Sequence, residues 1–312
     1  MIDYAYLETT NYCNLDCSFC NRADVIGPLN HISLDKWDTL LDKIKDQPLR
    51  ITKLMGMGEP FLHPQFDKVV EKFKKVFPST QVIVATNCQY DIRPSSRMGI
   101  KFRNALGFID QLYLSIDGFE ANYERDRAPA KWSKLINFLD HLKDIDRKGC
   151  NIVVNYVVNA YNVEDIARID SLREEYNLGK LRLNMVQLWD PDKNLKDNTD
   201  TSLYTQEDLA YLKANWQNNI MGKSVWDYSD CFWPKSGLYT TVEGHVKVCC
   251  MNTAAEPIGN LFEEDLEDIL AKQTYQDIKG GCATNKPADH CKTCSYKQLI
   301  PLLNMLGPLQ DD

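Results

Sequence analysis

From the first residues to about residue 190, short apolar, β-rich runs alternate with longer stretches whose apolar positions recur at helical spacing. The strand candidates are Tyr4–Thr9, Ile51–Met55, Gln81–Ala85, Gln111–Ile116, Asn151–Val158 and Lys180–Gln187. Between them, Leu34–Ile44 puts Leu34, Trp37, Leu40, Leu41 and Ile44 on one helical face, with Ser33 as N-cap. Phe66–Val76, Lys131–Arg147 and Val163–Tyr176 repeat the pattern. Strand-then-helix units in this number predict parallel strands with crossover helices, as a barrel or a doubly wound sheet. In either form the chemistry gathers in loops at the C-terminal ends of the strands.

The pattern changes at Asp190. Asp190–Thr205 is rich in Asp, Asn and Pro and reads as a connection, followed by one helical stretch at Gln206–Asn218. Leu238–Val242 and His245–Val248 flank Glu243-Gly244, a hairpin signal. The expected organisation is an α/β domain over residues 1–190, a linker with a helix over 191–229, and a small hairpin-and-helix domain over 230–312. With 312 residues, 44% hydrophobic positions and a net charge of −8, the composition excludes a fibre or a disordered chain. No dense basic run points to nucleic acid or an anionic membrane surface. Neither a signal peptide nor a stretch of about 18 apolar residues is present, so a cytoplasmic location without membrane partners is expected.

Eleven cysteines is a high and odd number that fits a fully paired secreted framework poorly, and clustered cysteines in an intracellular protein more often mean metal or redox chemistry. Cys13, Cys17 and Cys20 follow the first strand directly. Soft thiolates select zinc or iron–sulfur, and a closed structural zinc site wants four ligands. A triplet with no fourth Cys or His nearby leaves one iron of a cluster open to something that is not protein. Cys231, Cys249, Cys291 and Cys294 make a complete four-sulfur set at the other end, suited by spacing to either zinc or an iron–sulfur cluster. Cys250 and Cys282 are unassigned, Cys88 and Cys150 read as core thiols, and His63 and His245 as turn or surface residues.

Cys13-x3-Cys17-x2-Cys20, with Phe19 before the last Cys, resembles the signature of radical S-adenosylmethionine (SAM) enzymes. Gly56-Met57-Gly58-Glu59-Pro60 after the second strand resembles that family's Gly-Gly-Glu-Pro motif, with Met57 where the first Gly is usual. Thr86-Asn87 and Leu114-Ser115-Ile116-Asp117-Gly118 close the third and fourth strands in forms typical of one large subgroup. The resemblance implies a partial (β/α)6 parallel barrel. It also implies a [4Fe–4S] cluster on Cys13, Cys17 and Cys20 that chelates SAM and splits it to methionine and a 5′-deoxyadenosyl radical. The backbone of Gly56–Glu59 would receive the SAM ammonium group, close approach being the reason for the glycines. Phe19 would lie near the adenine, and Asn87, Ser115 and Asp117 would serve the cofactor, the last two at the ribose hydroxyls or the carboxylate.

Cys231-x12-Gly244-x4-Cys249, with Cys291-x2-Cys294 downstream, resembles the SPASM and twitch auxiliary domains of the same superfamily. The lack of cysteines past Cys294 favours the shorter twitch form with one auxiliary [4Fe–4S] cluster, a layout similar to that of aminocyclitol dehydrogenases. One auxiliary cluster suggests an exit for an electron, hence two-electron oxidation of a sugar- or aminocyclitol-like alcohol. An external one-electron reductant such as flavodoxin or ferredoxin would supply the SAM cluster. The triplet begins at residue 13, which leaves no room upstream for a leader-peptide-binding domain and tilts the expectation towards a small polar substrate. Peptide maturation by epimerisation or crosslinking is the alternative, and a zinc-stapled, non-catalytic binding protein the third reading. Asn155, Tyr156, Arg182, Asn184 and Gln187 are candidates to touch substrate or SAM.

Overall fold

Strand after strand, one set of side chains is apolar and the other mixed, and the sheet sorts them onto two faces. The computed structural model describes residues 1–159, 161–185, 205–208, 210, 231–250, 252, 255–292 and 294. Six parallel strands run in spatial order: β1 (Tyr4–Leu7), β2 (Ile51–Lys53), β3 (Gln81–Thr86), β4 (Gln111–Ser115), β5 (Asn151–Val158) and β6 (Leu181–Met185). Leu7, Val82, Val84, Leu112, Leu114, Ile152 and Val154 point to one face and are buried under the helices. These helices are α1 (Leu34–Ile44), α2 (Phe66–Val76), α3 (Arg97–Leu106), α4 (Glu120–Asp126), α5 (Trp132–Lys143) and α6 (Ile166–Glu175). Trp37 of α1 donates its indole N–H to the Val69 carbonyl of α2 at 3.0 Å, which satisfies the one polar atom of a fully buried ring.

The opposite face carries Tyr4 and Tyr6 (β1), Lys53 (β2), Tyr113 (β4), Asn155 (β5) and Arg182 (β6). Arg182 stacks over Tyr113 at 5.3 Å, Lys53 lies 4.9 Å from the Tyr6 ring, and the Arg182 charge reaches Tyr4 and Tyr6. Groups on β6 and β1, the two ends of a six-strand order, meet this way only if the sheet curls. The parallel strands therefore form a partial barrel with this set inside.

The periodicity placed α1 and α2 to the residue, and Ser33 caps α1 by accepting the Lys36 N–H at 3.2 Å. The stretch at 131–147 forms helix only over Trp132–Lys143, and the one at 163–176 opens with a 3-10 turn at Val163–Asp165. Helices α3 and α4 gave no clear apolar pattern: α3 buries Gly99, Phe102, Ala105 and Leu106, two of them too small to mark a stripe. Ser96 nonetheless caps it, accepting the Gly99 N–H at 2.9 Å.

The C-terminal segment continues the same sheet. β7 (Gly237–Thr240) lies parallel to β1 with Tyr6 opposite Tyr239, and β8 (His245–Lys247) and β9 (Gly259–Asn260) follow antiparallel. It thus covers the β1 edge, which would otherwise present unpaired backbone groups. Gly244 turns the β7–β8 hairpin at φ +85°, where a side chain would be strained. α7 (Leu266–Ala271) and α8 (Gln273–Ala283) pack behind, Tyr275 of α8 donating its hydroxyl to the Pro234 carbonyl at 3.1 Å. The expected linker at 191–229 and most of its helix lie outside the described residues. Among the described residues no helix is long and apolar enough to cross a membrane.

Candidate active site

The loop after β1 is held from both sides before any ligand is considered. Leu15 is buried in the core, and the backbone N–H groups of Asp16 and Ser18 donate to the carbonyls of Ala128 (2.7 Å) and Asp126 (3.0 Å). Asn14 donates to the Gln89 carbonyl at 3.0 Å and accepts from the Asn87 amide at 2.8 Å. Cys13, Cys17 and Cys20 are thereby presented from one loop, each within electrostatic reach of another. Burial pushes all three thiols up, Cys17 to about 12, and Arg127 pulls Cys17 and Cys20 the other way. Buried thiols in this number become thiolates when iron or another soft cation binds them. Cys13 and Cys20 both act on Cys17, and three sulfurs from one loop fit a cluster with one iron left open.

Arg127 carries no signal in the sequence. It is 7% exposed, donates to Asp117 and to the Cys17 sulfur (3.9 Å), and lies 5.4 Å over the Phe19 ring. Asp117 is fully buried; its second oxygen accepts the Val157 N–H at 2.7 Å. With one oxygen on Arg127 and the other on the Val157 N–H, Asp117 anchors Arg127 beside the cysteine loop. Ser115 stands two residues earlier on the concave face and is mostly buried.

Glu59 is likewise a bolt. Its carboxylate accepts from the N–H groups of Phe61 (3.2 Å) and Asn87 (2.7 Å) and from the Thr86 hydroxyl (3.0 Å), tying the loop after β2 to the end of β3. Burial raises it to about 7 against those donors. The glycines of this loop are also required by the chain's own packing. A Cβ on Gly58 would meet the Tyr12 carbonyl oxygen at 2.6 Å, and one on Gly56 the Glu8 carboxylate. Both residues admit the chain's own neighbours, and Gly58 lets Glu59 N–H reach the Tyr12 carbonyl at 2.7 Å beside the cysteine loop. Met57 donates its N–H to Glu8 and lines a cavity of about 160 Å³ with Glu8, Asn11, Tyr239, Glu243 and Lys247.

Glu8 is a second residue that the strand pattern missed. It follows β1 on the Tyr4–Tyr6 side, is 2% exposed, and accepts from Met57 N–H and, at 3.1 Å, from Val242 N–H of the hairpin. Burial, with Glu243 nearby, raises it to about 7. One side chain so joins β1, the glycine loop and the C-terminal hairpin. A charged residue closing an apolar strand was the only available clue.

The C-terminal thiols collect from several segments. Cys231, Cys249 and Cys250 pack on Tyr6, Trp233 and Tyr239. Cys291 is within reach of Cys231 and Cys294, and its sulfur lies 3.9 Å from that of Cys282, at the end of α8. Burial pushes Cys250 and Cys291 up to about 12. Cys250 is hydrogen-bonded with Tyr6, and Lys53 lowers it. Four sulfurs or more from this group suit a cluster. Among the described residues, no three His, Cys, Asp or Glu side chains converge on a single-ion site.

Of the strand-end candidates, Asn155, Arg182 and Asn184 face the concave side, Asn184 donating to Asn155 at 2.9 Å. Tyr156 points the other way, fully buried under the helices with its hydroxyl on the Asn162 carbonyl, as strand alternation requires once Asn155 faces in. Gln187 lies outside the described residues. Cys88 and Cys150 are buried core thiols, and His63 is a buried turn residue bonded to the Ile32 carbonyl.

The radical SAM superfamily model matches residues 7–172, and the SPASM model, an iron–sulfur cluster-binding domain, residues 231–295. The sporulation killing factor maturation protein SkfB of Bacillus subtilis is 21% identical over 295 residues, 88% of this chain and 66% of that protein. A tungsten-containing aldehyde ferredoxin oxidoreductase cofactor-modifying protein of Pyrococcus furiosus is 34% identical over 73 residues, 23% of this chain and 20% of that one. The chain spans at most about two thirds of these relatives. Similar solved structures include BtrN in complex with AdoMet and 2-DOIA (TM-score 0.56, 15% identity, 94% of this chain and 93% of that one). Streptococcus suis SuiB bound to S-adenosylmethionine has a TM-score of 0.68 at 15% identity, over 96% of this chain and 72% of that one. At such identities the likeness is one of fold.

Proposed function

The chain belongs to the radical SAM superfamily and carries a SPASM domain, which implies a SAM-binding [4Fe–4S] cluster and auxiliary iron–sulfur binding; we propose that it oxidises an alcohol carbon of a small polar substrate by two electrons. Cys13, Cys17 and Cys20 would hold the SAM cluster, and Cys231, Cys249, Cys291 and Cys294 the auxiliary one. When bound, SAM and its cluster supply a 5′-deoxyadenosyl radical that takes one hydrogen atom, and the auxiliary cluster supplies the acceptor for the remaining electron as the hydroxyl proton leaves to a base. An external one-electron carrier such as flavodoxin or ferredoxin would reduce the SAM cluster.

The chain's own residues position the reactants. Backbone groups at Gly56–Glu59, held by Glu8 and Glu59, would receive the SAM ammonium group. Phe19, stacked on Arg127, would border the adenine, while Asn87, hydrogen-bonded between Asn14 and Glu59, would shape the loop edge. Arg182, Asn155 and Asn184 would meet hydroxyls of the substrate inside the barrel, where water is displaced and the reacting carbon is held still.

One observation carries this reading: the concave face that opens on the Cys13–Cys20 loop at the strand ends meets the C-terminal thiols through Tyr6. A substrate inside the barrel then has a hydrogen acceptor on one side and an electron acceptor on the other. Similarity to SkfB along most of the chain favours a second reading, modification of a peptide. Anaerobic protein is incubated with SAM, dithionite and polyols deuterated at the carbinol carbon. Deuterium in 5′-deoxyadenosine, with a product short of two hydrogens, supports dehydrogenation; labelling only from a peptide overturns it.

A further inference from the structure

Lys53 is the least expected residue inside the barrel. It is 2% exposed, donates to the Tyr6 hydroxyl at 2.8 Å, and lies 4.9 Å from the Tyr6 ring and 5.7 Å from that of Tyr113. Tyr6 is hydrogen-bonded in turn with Cys250, whose neighbour in charge is Cys231. A connected path thus runs from an ammonium group on β2, through a phenol on β1, to the sulfurs that follow β8. None of these contacts is required by strand pairing: a methionine or leucine at position 53 would fill the aromatic pocket without the desolvation that a buried cation entails.

We propose that Lys53, acting through Tyr6, is the positioning charge of the auxiliary cluster and sets that cluster's reduction potential. The proposal rests on the reading of Cys231, Cys249, Cys291 and Cys294 as its ligands. Thiolate-bound clusters carry net negative charge, and an added electron increases it. A positive charge close by, in surroundings of low dielectric, favours the reduced form and raises the potential. Arg182, 5.3 Å from the Tyr113 ring, adds charge of the same sign; burial and then Arg182 push Lys53 down to about 7, and the Cys250 sulfur pulls it back up. The fold so makes the auxiliary site a better acceptor for an electron leaving the barrel interior.

The full-length Cys17→Ala protein isolates the auxiliary cluster, which is titrated reductively with the spectrum of its reduced form as readout. Adding Lys53→Met is expected to shift the oxidised-to-reduced ratio at fixed potential at least tenfold towards oxidised, which is 59 mV for one electron. Lys53→Arg restores most of the shift, and Tyr6→Phe gives a smaller one of the same sign. An unchanged midpoint in Lys53→Met with its iron intact overturns the proposal. If Lys53→Met fails to retain iron, Tyr6→Phe decides in its place, an unchanged midpoint there being equally fatal. Absence of iron from the Cys17→Ala parent is a different result: it removes the ligand reading itself.

Discussion

The two cysteine sites are assembled in opposite ways. Cys13, Cys17 and Cys20 sit on one loop, and hydrogen bonds from Asp16, Ser18 and Asn14 to neighbouring loops fix its course. The C-terminal thiols come from the segment before β7, the end of β8 and the chain after α8, and meet on an aromatic patch that β1 supplies. Their cations differ too. Arg127, beside Cys17, is neutralised by Asp117, whereas Lys53 directs its charge at Tyr6 and Cys250. A site encoded locally can be read from spacing, while one built by docking depends on the sheet edge that brings its parts together.

The largest effect expected separates the two sites by function. Cys17→Ala should abolish 5′-deoxyadenosine formation and remove about four irons of about eight per chain. Cys231→Ala should remove a similar number yet leave SAM cleavage, now uncoupled from product. Iron analysis with nucleoside chromatography checks both, and loss of SAM cleavage in both variants would mean the sites are not separable.

Next comes the buried pair. Asp117→Ala leaves the Arg127 guanidinium and the Val157 N–H without their acceptor, at roughly 3–5 kcal/mol for an uncompensated buried charge. Adding Arg127→Met should recover part of that loss. Urea unfolding of the single and double variants measures it, and additive losses would show that the two residues do not act as a pair.

How far the sequence reached follows the same division. The triplet, the glycine loop and the strand order were legible because each lies within a few residues of a strand whose apolar run is plain. Arg127 and Glu8 were not, since what makes them important is a contact 110 residues away at Cys17 and one 234 away at Val242. The position of Asp117 after β4 is visible in the sequence, its engagement by Arg127 is not. Tyr156 was misread by one step of strand alternation. The crowding of the glycines at 56 and 58 against Glu8 and the carbonyls of Thr10 and Tyr12 is likewise invisible in the spacing of the sequence.

Glu8 sharpens the comparison through pH because it links the two regions. Its carboxyl is raised from 4.5 to about 7, so the folded chain holds a proton that the unfolded chain releases. Its contribution is therefore present below pH 4.5 and is lost as pH rises to about 7, by up to about 3 kcal/mol. Glu8→Gln should flatten the fall in unfolding free energy between pH 5 and pH 7.5. A slope equal to that of the unaltered protein would assign the titration elsewhere.

The smallest effect tests which thiols belong to the second site. Cys282 is buried at 2% exposure and its sulfur contacts that of Cys291, yet it stands on α8, outside the pairing of Cys231 and Cys249 with Cys291-x2-Cys294. As a packing residue, its replacement by Ala removes one sulfur's worth of contacts, about 1 kcal/mol. Cys282→Ala should then keep about eight irons per chain and the auxiliary spectrum, with only a small drop in unfolding midpoint. Cys249→Ala in the same preparation should lose about four irons. The reverse outcome, iron lost with Cys282 and kept without Cys249, would move the fourth ligand from the hairpin to α8 and make the second site depend on helix packing more than on the sheet edge.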